Sequence, residues 1–191
     1  MATKCPEERT KRETTIMRLM HDTMSATAAS LAHHDQPDYK KALSCFATGV
    51  TVVTTRWQGS DWGMTCNSFT SVSLDPRLVL WSIRKAASCL EAFTQSGGFA
   101  VNVLSQEQQS AARQFATGDM AARFLGVQTE RQASERLWLT QATAWFDCSL
   151  HQLVDAGDHH ILIGQVKEFS WRDAPALGFW RSQFGEFQAT N

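Results

Sequence analysis

The chain has 191 residues, 43% of them apolar, with seven Trp and eleven Phe against four Pro and eleven Gly; this suits one folded domain with a real core and excludes a low-complexity chain. A formal net charge of −1 and a pI of about 6.6 give no electrostatic reason to bind a phosphate backbone, so no nucleic acid is expected as a partner. No apolar run approaches the ~20 residues of a membrane span, no apolar leader segment opens the chain, and Cys5, Cys45, Cys66, Cys89 and Cys148 contain no C-x-x-C pair, which reads as reduced thiols in a cytoplasmic protein.

Residues 1–36 mix charges of both signs with Met, Thr and Ala and read as a mobile arm, in which 15–24 can form a short helix with Ile16, Met17, Met20 and Met24 on one side. The folded domain is expected over 37–191. It opens with a helix, Pro37 in its first turn and Tyr39, Ala42, Leu43, Phe46 and Ala47 at helical spacing, closed by Gly49. "VTVVTTR" (50–56) is a β-branched strand, joined through a turn to a second around "MTCNSF", and "RLVLWSIR" (77–84) is a third, apolar enough to be central. "AASCLEAFTQ" is a helix ended by Gly97 and Gly98, followed by the strand "FAVNVL". Ser105 with Gln108 three residues on has the capping-box pattern and starts a helix with Ala111, Ala112 and Phe115 inward. Segment 117–137 gives a short helix over residues 120–124 plus a loop. "TAWFDCSL" alternates Ala144, Phe146, Cys148 and Leu150, and "HHILIGQVKEF" returns after the turn "DAGD" as the second arm of a hairpin. Strands outnumber helices and few are separated by crossover-length helices, which favours an antiparallel barrel over a doubly wound sheet.

Several chemistries are not signalled. There is no G-x-G-x-x-G, no P-loop, no nucleophile elbow and no H-E-x-x-H. His159 and His160 are adjacent on a strand and point to opposite faces, so they do not chelate one metal, and no metal is expected. The unusual stretch is "GMTCNSFTSVSLDP" (63–76), with Thr65, Asn67, Ser68, Thr70, Ser71, Ser73 and Asp75 among only a few apolar residues. Taken alone it reads as a polar barrel edge whose hydroxyls satisfy backbone groups. The second reading, a rigid wall of short hydrogen-bonding groups against a flat polar ligand, gains its weight from the resemblance that follows.

Together with "ALSCFATGVTVVTT" (42–55), "FAVNVLSQEQ" (99–108), "RFLGV" (123–127), "AWFDCSL" (144–150) and "AGDHHILIGQV" (156–166), this stretch resembles the short-chain flavin reductases, in family order over nearly all of residues 38–185. The resemblance implies a split antiparallel β-barrel of the FMN-binding type, mainly β with flanking helices. It implies an NAD(P)H:flavin oxidoreductase that passes hydride from NADH or NADPH to N5 of FMN or FAD and hands reduced flavin to a partner monooxygenase, working as a homodimer. By resemblance, Thr65, Cys66, Asn67 and Ser68 line the ring and ribityl chain, Ser71, Val72 and Ser73 follow the loop, and Thr54 faces the same cavity. Arg84, Lys85 and Ser88 are placed for the flavin phosphate. His159 of Gly157-Asp158-His159 is placed beside the nicotinamide, and Phe184 stacks over it, with Trp180 and Phe187 as rivals. The chain departs from the family in reading Pro76-Arg77 where a Pro pair is frequent, and in lacking a clear G-x-P-x-L segment around residues 133–139. Two other readings stand beside this one: a flavin-binding store or sensor of the same barrel that never reduces its flavin, and a barrel that has lost flavin and only packs against a partner.

Overall fold

The computed structural model describes residues 36–188; the helix expected within 15–24, with nearly all of the arm, lies outside the described residues. The chain falls into two compact units that divide between Ser44 and Cys45. In the first, helix α1 (Gln36–Ser44) has Asp38 in its first turn, where a carboxylate offsets the positive end of the helix dipole. The helix does not run on to Gly49. Thr48–Gly49 is instead a short strand, β1, paired antiparallel with β11 (Leu177–Trp180), and Phe46 is exposed. A strand partner from the far end of the chain overrides the local helical spacing.

The second unit is mainly β. Its principal strands are β2 (Thr51–Trp57), β3 (Ser60–Cys66), β4 (Thr70–Leu74), β5 (Arg77–Arg84), β6 (Gly98–Val103), β9 (Ala144–Ala156) and β10 (His159–Trp171). They form one antiparallel sheet in the order β3-β2-β6-β9-β10-β5-β4. Its two edge strands, β3 and β4, are consecutive in the chain and joined by residues 67–69 alone. Four Cα–Cα steps reach about 14 Å, whereas six strand spacings in a flat sheet amount to about 29 Å. The sheet therefore rolls until its edges meet, as a split antiparallel barrel.

Inside the roll, Trp81 packs edge-on against Phe93 of α2 (Leu90–Gln95) at 4.9 Å and Phe99 at 5.7 Å, with Val53, Ile83, Val101, Cys148 and Leu162 around them. A second core lies on the other face of β2, β6 and β9, where Val52, Leu104, Ala112 and Phe115 of α3 (Gln109–Thr117), Leu139 and Trp145 meet. Val52 and Val53 thus serve different cores, and five consecutive β2 residues are buried, which is why "VTVVTTR" shows no polar alternation.

Segment 117–137 differs from expectation. A 3-10 turn covers only Met120–Ala122, and β7 (Thr129–Arg131) and β8 (Leu137–Leu139) form a hairpin. Strands of three residues are too short to display a period of two. The expected helix over "AASCLEAFTQ" contracts to α2, with residues 86–89 outside the helix. β12 (Gln183–Glu186) completes a small sheet with β1 and β11. No helix among the described residues is long and apolar enough to cross a membrane.

Candidate functional site

The polar stretch 63–76 is two strands rather than one: β3 stops at Cys66 and β4 begins at Thr70. As sheet edges, each leaves one row of backbone N–H and C=O groups outside the ladder. β4 pairs with β5 only as far as Leu80; beyond it, the Ser68 hydroxyl accepts a hydrogen bond from the Ser82 N–H at 3.0 Å and so continues the edge by one rung. Between Ser71 and Ser73 the register slips, which leaves Val72 as the unpaired residue of a bulge, the device that re-aims a side chain at a rim. Asn67, Ser71 and Val72 are exposed and Ser73 is half-buried.

β5 and β10 bring the charged candidates to this edge. Val79, Trp81 and Ile83 are buried in the core, so Leu78, Leu80, Ser82 and Arg84 face outward. Directly opposite, in register, stand Gln165, Ile163, Ile161 and His159. Arg84 and His159 are therefore cross-strand neighbours with Cβ atoms about 5 Å apart, and Arg84 lies about 7 Å along the strand from Ser82, the residue bonded by Ser68. The β9–β10 turn is the two-residue loop Gly157-Asp158, with Gly157 at φ 63°, a conformation that needs glycine at the first loop position.

Two carboxylates organise the cations. Asp155 accepts from Lys85 Nζ at 2.8 Å, and that hydrogen bond holds its pKa below the ordinary carboxylate value. Asp158 accepts from His159 Nδ1 at 2.7 Å, with the same effect on Asp158 from the same cause. The bond places the His159 proton on Nδ1 and leaves Nε2 as acceptor in the neutral ring. The Lys85 N–H donates to the Asp158 carbonyl at 2.9 Å, which ties the start of the β5–α2 turn to the β9–β10 turn. Among the described residues Arg84 makes no ion pair, so it is the cation left for an incoming anion. Ser88 is exposed in the turn before α2.

Four sequence candidates direct their side chains elsewhere. Thr54 is buried and its hydroxyl donates to the Leu137 carbonyl at 2.6 Å. The Thr65 hydroxyl donates to the Ala112 carbonyl of α3 at 2.7 Å. Cys66 turns inward beside Thr51, 3.1 Å away, and burial raises its thiol pKa. Phe184 joins the second core against Phe179 at 5.5 Å, under the Arg113 guanidinium. The stretch mixes inward and outward side chains, and only the register separates them. Trp180 and Phe187 remain about half-exposed, at 49% and 54%. Sequence reasoning missed Asp155, the partner of Lys85. The two-residue hairpin turn carried the signal, since it pairs Asp155 with His160 at the end of β10 that also meets β5. His160 Nδ1 is buried without a partner.

The donor set fits a flavin: open edge groups and the Asn67 amide suit a ring rimmed with carbonyls and N–H, the small Ser71 and Ser73 leave room, and Arg84 suits a phosphate. Among the described residues no cluster of three metal-ligating side chains occurs.

Residues 43–188 match the family model of the flavin reductase like domain. The reductase component of a flavin-dependent trigonelline monooxygenase from Acinetobacter baylyi is 41% identical over 150 residues, covering 77% of this chain and 47% of the relative. The chain thus spans about half the length of that relative and of a probable flavin reductase from Rhizobium meliloti, which is also covered over 47%. An NADH-dependent FMN reductase of Agrobacterium fabrum is 40% identical, with 78% of this chain and 84% of the relative covered. Among solved structures, an NADH:FAD oxidoreductase of Streptomyces globisporus in complex with NAD and FAD fragments superimposes with a TM-score of 0.77 at 35% identity, over 81% of this chain and 93% of the other.

Proposed function

The chain belongs to the flavin reductase like domain family, and on that premise we propose that it is an NAD(P)H:flavin oxidoreductase that supplies reduced FMN or FAD to a partner monooxygenase. The observation that carries this reading is the cross-strand pairing of Arg84 with His159 beside the exposed edge at 67–73. Relatives whose names specify FMN with NADH and FAD with NADH support it, as does the reductase-component name of the Acinetobacter relative.

When bound, nicotinamide and flavin supply the hydride chemistry between themselves. The chain's own residues bind and orient. Asn67, the backbone of 66–68 and the 71–73 bulge would hold the ring edge, and Arg84, Lys85 and the Ser88 hydroxyl would hold the phosphate. His159, its ring fixed by Asp158, presents Nε2 as an acceptor for the nicotinamide amide. No side chain of this set has to move a proton for hydride transfer, so its contribution is positioning. Trp180 and Phe187 are the exposed aromatics available to cover the nicotinamide.

The protein acts as a homodimer in this reading, supported by Val72, Leu74, Leu153, Phe169 and Trp171, apolar side chains 41% to 90% exposed on or beside β4, β9 and β10. Cys66, Cys89 and Cys148 are free thiols, in keeping with a cytoplasmic setting.

The test is consumption of NADH and of NADPH with FMN and with FAD. Turnover with at least one pair is expected; flavin binding without turnover means a store or sensor, and no flavin binding at all overturns the assignment. His159→Ala is expected to raise the KM for nicotinamide roughly tenfold, the loss of about one hydrogen bond, with little change in kcat. A collapse of kcat at saturating nicotinamide would contradict a positioning role.

A further inference from the structure

The β7–β8 hairpin and the far ends of β9 and β10 border an open cavity of about 200 Å³ lined by Glu130, Trp138, Thr140, Trp145 and Ser170. This is smaller than the ~300–1,000 Å³ of sites for drug-sized ligands, too small for a flavin, and none of its lining residues belongs to the candidate site described above. Its walls are two cross-strand pairs, Glu130 with Trp138 and Trp145 with Ser170. The indoles join them by stacking, with centroids 5.8 Å apart and planes 16° from parallel. Trp145 is fixed by its Nε1–H, which donates to the Leu139 carbonyl at 2.8 Å.

We infer that this cavity is a binding site for the headgroup of a small organic cation, a quaternary or protonated amine. Indole faces carry the negative lobe of the aromatic quadrupole, and among side chains Trp attracts a cation most strongly. Glu130 adds a full negative charge at the rim and makes no ion pair among the described residues. The nearby fixed cations are committed elsewhere: Arg131 donates to both oxygens of Asp61 at 3.0 and 2.7 Å, and Arg172 donates to the carbonyls of Ala142 and Gln141. The Thr140 and Ser170 hydroxyls give the remaining wall polar groups. The same carboxylate disfavours a phosphate, so the site is chemically distinct from one for nucleotide cofactors, and the inference does not rest on the flavin reading.

The test follows the indole N–H resonances of the full chain during titration with tetramethylammonium chloride, with sodium chloride at matched ionic strength and tert-butanol as a neutral probe of similar shape. Saturable shifts of Trp138 and Trp145 are expected with tetramethylammonium alone. Glu130→Gln changes an exposed residue, is expected to keep the melting temperature, and should weaken binding roughly three- to tenfold. The proposal fails if neither indole responds saturably, if tert-butanol binds as tightly as the cation, or if Glu130→Gln leaves the affinity unchanged. The comparison of cation with neutral probe on the unmutated protein decides the matter even where a variant folds poorly.

Discussion

Asp147 is 3% exposed, and its carboxylate accepts from Arg136 Nη1 at 2.7 Å and from the Ser134 hydroxyl. Removing one partner of so buried a pair strands the other's charge, so Arg136→Ala is expected to cost about 3–5 kcal/mol, read by denaturant titration. Replacing both partners with apolar residues of similar volume should cost clearly less. The same environment acts on Cys148, whose pKa is pushed up to about 12, by burial first and by the Asp147 charge second; in the native protein this thiol is a core side chain and not a nucleophile. Asp61 behaves differently: burial opposes its ionisation, but hydrogen bonds and charge from Arg131 and Arg56 prevail and lower its pKa from 3.8. A depressed carboxylate stabilises the fold above its unfolded pKa and loses that contribution as pH falls through the folded one. Asp61→Asn should therefore cost about 1 kcal/mol at neutral pH, a deficit that shrinks below pH 3.8. A deficit unchanged in acid would remove the ion pairs as its cause.

The β9–β10 hairpin shows what the sequence reveals at the level of elements. Alternation along 144–150 and a glycine at the turn announced it, and its two-residue loop fits. The β7–β8 hairpin announces nothing, because three-residue strands leave no pattern, and the helical spacing overstates the length of α1 because β1 owes its strand state to β11. The candidate site was legible only in pieces: His159 stands in the Gly157-Asp158-His159 triplet and Arg84 in a basic run after a strand, but their adjacency is a matter of register across two strands distant in sequence. Thr54 and Thr65 look like site residues from their chemistry, yet each spends its hydroxyl on a backbone carbonyl inside the protein. Packing between strands also sets Gly164: a Cβ there would lie 2.5 Å from Phe99 Cζ and 2.8 Å from Cys148 Cβ. Gly164→Ala is expected to cost about 1–3 kcal/mol by overpacking, seen as a lower midpoint in chemical denaturation.

For the molecule as a whole, the barrel class followed from strand count and connection length, whereas its closure did not, since nothing local says that the strands on either side of residues 67–69 end as opposite edges. Homodimerisation belongs to this scale. Sedimentation is expected to give about twice the 21.3 kDa chain mass, and Leu74→Asp, at a side chain 90% exposed, should shift it towards the single chain. A species of chain mass alone at all concentrations would exclude the dimer. The three residues 67–69 act as the clasp of a bracelet: whatever grips them holds both ends of the band. An occupant seated there should slow amide exchange along β3 and β4 together, even though those strands share no ladder, and an occupant elsewhere should quiet at most one of them.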